Sequence, residues 1–348
     1  MAARTSFVVV AAALLFCGTQ GLAVAQSTRL EYRVVFASAR ELPRRIDEAG
    51  QQGFACAIVA RPEPNVALPG VVVVLSRPVE RASTPATHRI IRGGGRGTDL
   101  PPLLDRAGAE GLQLCGIALD EEAPNPTIVA VMRPAPDPGP WRHGAEVLSD
   151  YRGAIGRLNT AGKDGFAPVA VAPVDNNRVP WMRSWVVVTE RPASGRPQIE
   201  VAVRSASGAE TFQGNLGEQT KQGYRISLAW KEGNDFVAMM TRPAGSTAAA
   251  PAYAIDGSAA LGLRGLPGLY VADFPYLSDR RLVISEQSGS ATNEVVEDAL
   301  PALGPLGYAS PGALGDHLTA LHDFVVGSVT VRRGDRDALV LRTVLTHR

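Results

Sequence analysis

A six-residue sequence recurs along this chain at nearly constant spacing, and the recurrence limits the fold more than any other feature. Ala49-Gly50-Gln51-Gln52-Gly53-Phe54 is matched by Ala107-Gly108-Ala109-Glu110-Gly111-Leu112 and by Ala161-Gly162-Lys163-Asp164-Gly165-Phe166. Weaker copies are Gln219-Thr220-Lys221-Gln222-Gly223-Tyr224 and Leu303-Gly304-Pro305-Leu306-Gly307-Tyr308. A fixed period of this length means small supersecondary units that bury a core only by stacking on one another.

The residues ahead of each copy define the element it ends. Leu42, Ile46 and Ala49 precede Gly53 at i, i+4 and i+7, which is one stripe of an α-helix. Leu100, Leu104 and Ala107 repeat that stripe, as do Ala154, Leu158 and Ala161, then Phe212, Leu216 and Gln219, and last Val296, Leu300 and Leu303. Ser38 with Glu41 has the capping-box pattern, and Pro43 and Pro101-Pro102 fall in first turns, where proline is tolerated. The second glycine permits the positive φ that ends a helix, and the large residue after it folds back.

Strand-like runs flank each helix. Residues 32–36, 88–91, 146–148, 201–203 and 282–284 precede the five helices. Residues 55–60, 113–118, 168–172 and 225–230 follow the first four, and third runs are 71–75, 127–132, 185–189 and 236–240. Four units close on Arg-Pro, at Arg77-Pro78, Arg133-Pro134, Arg191-Pro192 and Arg242-Pro243; proline there ends the strand. Each unit is therefore strand–helix–strand–strand, a crossover helix joining parallel strands and a hairpin adding the third. The expectation is an α+β chain of tandem βαββ repeats, each a small three-stranded sheet with one helix, packed against one another. The units span 29–79, 86–135, 141–193 and 197–244, followed by a linker and degenerate half-repeat over 245–278 and a divergent repeat over 279–348. The last repeat carries an insertion over 313–324.

The order strand, helix, Gly-x-x-Gly helix end, hairpin and closing Arg-Pro resembles a short bacterial βαββ domain family of unknown function, with Gly108-Ala109-Glu110-Gly111 the closest stretch. Phe, Leu or Tyr stands here where that family commonly has Trp. The resemblance covers 30–243 and implies the fold of each unit, but no site residues. A second resemblance is to sporulation-related peptidoglycan-binding repeats, whose Gly-x-Phe signature on the first strand is missing.

Residues 1–25 have the order of an export signal: Arg4, an apolar run over 7–16, and Ala23-Val24-Ala25 before Gln26. That run is too short to cross a bilayer. Cleavage after Ala25 is the expectation, giving a periplasmic or secreted chain without a transmembrane segment. The chain carries 35 basic and 34 acidic side chains. Loss of Arg4 balances them, which argues against a surface built to neutralise phosphates and so against a nucleic-acid partner.

Few residues carry recognisable chemistry. Gly-x-Ser-x-Gly, His-Glu-x-x-His, Cys-x-x-Cys and a complete phosphate loop are all missing, so no catalytic residue, metal ligand or cofactor is assigned. Gly93-Gly94-Gly95-Arg96-Gly97, between a strand and a helix, is either an anion cradle or a connector. His317 and His322 with Asp316 and Asp323 are spaced i and i+5, which favours a solvated helix over a metal site. Asp120-Glu121-Glu122 has the look of a solvated turn, and Arg333-Gly334-Asp335 of a hairpin turn.

Two features bear on function. Cys56 and Cys115 follow their repeat glycines by three and four residues. Export permits a disulfide between them, but the one-residue offset puts them on opposite faces if the strands keep strict register, which favours two buried thiols. Trp181, Arg183 and Trp185 alternate along one strand face and form either a ligand surface or, with Trp230, part of the core between units. The expected function is an exported, non-enzymatic binding or scaffold protein of the bacterial envelope. Its partner would be an envelope protein or cell-wall component. The competing expectations are a hydrolase with a pocket between units and a peptidoglycan-binding protein.

Overall fold

The computed structural model describes residues 29–60, 70–80, 84–120, 126–135, 139–148, 151–174, 184–232, 235–246, 248, 250, 252–256, 268–271, 282–287, 293–299, 311–320, 324–333 and 339–347. The expected export signal lies outside them. Unit 1 comprises β1 (Leu30–Ala37), α1 (Leu42–Gln51), β2 (Ala55–Ala60) and β3 (Val71–Pro78). Unit 2 comprises β4 (Arg89–Gly94), α2 (Leu100–Gly108), β5 (Leu112–Asp120) and β6 (Thr127–Pro134). Unit 3 comprises β7 (Trp141–Leu148), α3 (Tyr151–Lys163), β8 (Ala167–Val174) and β9 (Ser184–Pro192). Unit 4 comprises β10 (Ile199–Ala206), α4 (Ala209–Lys221), β11 (Arg225–Glu232) and β12 (Asp235–Pro243). The fold is α+β, with tandem three-stranded sheets, each carrying a helix, packed together.

In every sheet the third strand lies in the middle, antiparallel to both neighbours. The first two strands run parallel, as the crossover helix requires, but they are not hydrogen-bonded to each other. The middle strand is buried on both faces: Val71, Val72, Val73, Val74 and Leu75 are all at most 1% exposed. An unbroken apolar run is what such a strand needs. Alternate residues meet different partners. Val71, Val73 and Leu75 pack on Leu42, Ile46 and Ala49 of α1, in a core completed by Ala118, Val129 and Val131 of unit 2. Likewise Leu100, Leu104 and Ala107 of α2 pack between Ile128, Ala130 and Met132 of their own sheet and Ala170, Val186 and Val188 of unit 3. Each helix is shared by two sheets, which supplies the burial a unit this small lacks alone.

The C-terminal portion departs from expectation. Residues 245–278, expected as a linker and degenerate half-repeat, hold β13 (Ala252–Asp256) and β14 (Gly268–Val271), which flank β15 (Leu282–Gln287) in a fifth sheet of the same strand order. A sixth sheet follows from β16 (Asn293–Ala299), β17 (Phe324–Arg333) and β18 (Leu339–His347), with α5 (Pro311–Ala320) before β17. Val296, expected on a helix, is therefore in a strand, and 282–284 belongs to a middle strand rather than a first one. A short i, i+4, i+7 apolar pattern does not by itself separate helix from strand.

Helices α1, α2, α3 and α4 pack against the first strand of the following unit, and α5 packs against β1. Second strands touch in the order β2, β5, β8, β11, β14, β17 and back to β2. The units thus close a ring. Closure protects the edges of the first strands, which would otherwise invite pairing with other chains. Asn159 of α3 accepts from Val201 N at 2.7 Å and donates to Val201 O at 3.1 Å. Asp105 of α2 accepts from His143 N at 2.6 Å. At the closing seam Thr319 Oγ1 accepts from Tyr32 N at 2.9 Å.

The Gly-x-x-Gly motif serves this packing. A Cβ at Gly50, Gly108 or Gly162 would strike the carbonyl oxygen of Ala86, Trp141 or Ile199 in the next unit. Gly53, Gly111, Gly165 and Gly223 have φ of 81°, 83°, 82° and 87°. Gly53 N donates to Gly50 O at 2.8 Å and Phe54 N to Ala49 O at 3.2 Å, the paired bonds of a Schellman helix end. The closing arginine belongs to the same device. Arg77 donates to Gln52 O at 2.6 Å, lies 4.4 Å from the centre of the Phe54 ring and pairs with Glu31 at 2.7 Å. Arg242 does the same with Gln222 O, Tyr224 and Glu200.

Unit 2 reaches its Arg-Pro one residue sooner, which puts Arg133 on the opposite face of its strand, where it donates to Cys56 O of unit 1 at 2.8 Å. The expected capping box at Ser38 and Glu41 does not form. Glu41 makes no side-chain cap, and Asp120 of unit 2 instead accepts from Ala39 N at 2.7 Å. Asp120 is therefore buried, not a solvated turn.

Candidate ligand groove and the seams between units

Each second strand from unit 1 to unit 4, and β17, has one irregular step at the same place: after Cys56, Leu114, Pro168, Ile226 and Val326. One extra residue there turns the strand, as β-bulges do. It also aligns the units. The residue before the bulge pairs with Leu75, Met132, Thr189 or Met240, and these pair across the sheet with Arg33, Arg89, Gly144 and Ala202.

Aligned this way, unit 3 is the exception. Thr189 stands where units 1, 2 and 4 bury Leu75, Met132 and Met240 against the helix. Gly144 stands opposite it, and two residues along β7 Glu146 occupies the place of Val35 and Ile91, both core residues. On α3, Gly156 and Thr160 take the places of Arg44 and Glu48 of α1. The loss of these side chains opens a groove of about 420 Å³ between α3, β7 and β9. Phe166 supplies its aromatic surface. Arg191 fixes that ring, lying 4.8 Å from its centre and donating to Asp164 O at 3.0 Å. Arg157 Nε donates to Glu146 at 2.6 Å, and its Nη2 reaches Val147 O at 3.3 Å. Thr160 Oγ1 donates to Gly156 O at 3.0 Å. The lining offers an aromatic face, the Glu146–Arg157 ion pair, the acidic residue Asp164 and two hydroxyls.

A second polar cluster fills the seam between units 2 and 3. His143 has a fully buried side chain, with Nδ1 3.6 Å from Asp105 and Nε2 3.7 Å from Glu190. Both ring nitrogens lie beyond hydrogen-bond distance of a partner. Glu190 accepts from Gln113 Nε2 at 2.7 Å and from Leu114 N at 3.4 Å. Burial holds the His143 pKa below its ordinary value, against the opposing charge of Asp105. Burial likewise pushes the Glu190 carboxyl up, against its bonds from Gln113 and Leu114. His88 is the counterpart at the unit 1–unit 2 seam: its Nε2 accepts from Cys56 N at 3.0 Å, and burial lowers its pKa, opposed first by Asp47. No sequence spacing joins these residues. The available signal was a polar residue, Asp47, Asp105 or Asn159, six positions before the second glycine of units 1, 2 and 3.

Cys56 and Cys115 form a disulfide, with Cα atoms 6.2 Å apart. The expectation of two thiols assumed strict register, and the bulge removes that assumption. Cys115 is itself the extra residue between Leu114 and Gly116, so its side chain turns toward β2. Trp185 is 5% exposed and sits in the core between units 3 and 4, its ring 6.0 Å from that of Trp230. It therefore contributes no open ligand face. Trp181 and Arg183, the rest of that candidate surface, lie outside the described residues. Gly94 N is taken by the Asp99 carboxylate at 2.9 Å, so an internal anion already occupies the glycine run. Asp316 is exposed on α5, while His322, Asp323 and the side chain of His317 are outside the described residues. The Gly334-Asp335 turn lies outside them as well.

The chain matches no protein-family model, no curated protein and no solved structure. Among the described residues, no helix is long and apolar enough to cross a membrane.

Proposed function

We propose that this chain is an extracytoplasmic, non-enzymatic binding or scaffold protein of the bacterial envelope. The observation that carries the binding role is the groove of unit 3. Three sibling units fill the same place with Leu75, Met132 and Met240, so the opening is a departure from the repeat, not a consequence of it. Two adjacent units joined through Cys56 and Cys115 are compatible with an oxidising compartment. Of the two resemblances, the one to peptidoglycan-binding repeats, which lacks their Gly-x-Phe signature, is what suggests a cell-wall component as partner. The hydrolase reading asks for a His or carboxylate with a partner in hydrogen-bond reach in an open cleft. His143 is enclosed, with its carboxylate neighbours 3.6 and 3.7 Å away, and the Glu146 carboxylate of the open groove has as its hydrogen-bonded partner the Arg157 guanidinium, which stays protonated and cannot relay a proton.

Cell fractionation with N-terminal sequencing tests the location; the expected mature chain begins at Gln26, and one beginning before residue 20 overturns export. Sedimentation with insoluble peptidoglycan tests the partner. Retention in the pellet is expected, and protein left wholly in the supernatant rejects the cell wall.

A further inference from the structure

We infer that the groove of unit 3 is a site for a neutral, polyhydroxylated ring, of the size of one or two sugar residues. The inference rests on the binding role proposed above and names its ligand class. Three observations select that class. The volume of about 420 Å³ admits a small molecule and not a folded partner. The lining carries no uncompensated cation that would attract an anion, because Arg157 is committed to Glu146 and to Val147 O. Nor is it wholly apolar: Thr189 stands where units 1, 2 and 4 place Leu75, Met132 and Met240, and Glu146 where units 1 and 2 place Val35 and Ile91.

The polar groups that line the groove, the acidic residue Asp164 among them, suit hydroxyl groups, which donate to carboxylates. The Glu146 carboxylate and the Arg157 guanidinium, joined through Nε, present acceptors and donors side by side. Thr160 Oγ1, whose proton goes to Gly156 O, keeps its lone pairs for an incoming hydroxyl. The Phe166 ring offers a flat surface for the C–H face of a sugar, and Arg191 holds that ring in place. Gly144 and Gly156 leave the walls without side chains, so the ring of a ligand reaches the sheet and helix backbones.

The test is a titration of the isotope-labelled full-length mature protein, followed through the amides of Gly144, Gly156 and Thr160. The probes are N-acetylglucosamine, its β-1,4-linked dimer and glucose, with putrescine and inorganic phosphate as charged controls. At least one of the neutral sugars is expected to produce saturable shifts at millimolar concentration, with neither control doing so. Thr189→Met installs the residue that two sibling units already accommodate, and Gly156→Arg installs the residue of α1. Both variants are expected to keep the native circular dichroism and to weaken sugar binding at least tenfold. No response to any of the three sugars overturns the inference. So does a response confined to putrescine or phosphate, or sugar shifts that persist in both folded variants. Export failing in the fractionation overturns the envelope role instead, so the two failures are told apart.

Discussion

The Cys56–Cys115 bridge makes a prediction in which two singly altered chains are as informative as the doubly altered one. The bridged residues are separated by 59 positions in sequence. Closing a loop of that length removes denatured-state entropy worth about 4 kcal/mol at 25 °C in the chain-entropy model. Loss of either sulfur abolishes that contribution in full. Cys56→Ala and Cys115→Ala should each lower stability by about 4 kcal/mol, with about 1 kcal/mol more from lost packing where the side chain is buried. The double variant should cost scarcely more than either single one, not their sum. Urea unfolding followed by circular dichroism gives the values, with hydrogen exchange in β2 and β5 localising the loss to the first two units. Two independent thiols would behave differently: each substitution would cost about 1 kcal/mol and the pair would add. Additivity, or rapid labelling of both thiols in the unreduced native protein, would refute the bridge and the bulge argument behind it.

Other predictions follow from the seams and helix ends. Gly108→Ala drives a Cβ into the Trp141 carbonyl oxygen and should cost about 2 kcal/mol or more in urea unfolding. Gly156→Ala, with open space around it in α3, should instead stabilise by about 0.5–1 kcal/mol in the same assay. Arg77→Ala removes a helix-end hydrogen bond and the Phe54 stacking contact, for an expected loss of about 2 kcal/mol in thermal or urea unfolding. The His143 seam should make stability pH-dependent. Its folded pKa is depressed below 6.5, so the unfolded chain takes up a proton first as the medium is acidified. Stability is present in full above 6.5 and falls as pH drops from there toward the folded pKa. Glu190, raised above 4.5, has the opposite effect: its burial costs stability as pH rises through the window above 4.5. Urea midpoints measured across this range should show a shallower loss just below 6.5 in His143→Phe than in the parent.

Much of the molecule was legible before its structure. The stripes Leu42–Ile46–Ala49 and Leu100–Leu104–Ala107 are buried helix faces, and the runs at 71–75 and 127–132 are strands. These are local periodicities, and side-chain direction follows them directly. Failures came where meaning depended on another unit. Asp120 looked solvated because its partner, Ala39 N, is eighty-one residues away. Trp185 had two readings, a ligand face or a core shared with Trp230, and only the packing of units 3 and 4 selects the core. In the last third, Val296 fitted a helical stripe that the chain does not use.

The amino-acid sequence by itself determined the unit: its helix, its three strands, its Gly-x-x-Gly ending and its Arg-Pro close. It did so because each is set by contacts and torsions within a few residues or within one sheet. Only the tertiary structure decided the rest. The bulge that turns Cys115 toward Cys56, the joining of α5 to β1 and the groove between α3 and the Gly144–Thr189 pair all depend on which residues of separate elements face each other. A one-residue change in strand register reverses the face of every following side chain, and the sequence period does not encode where that change occurs.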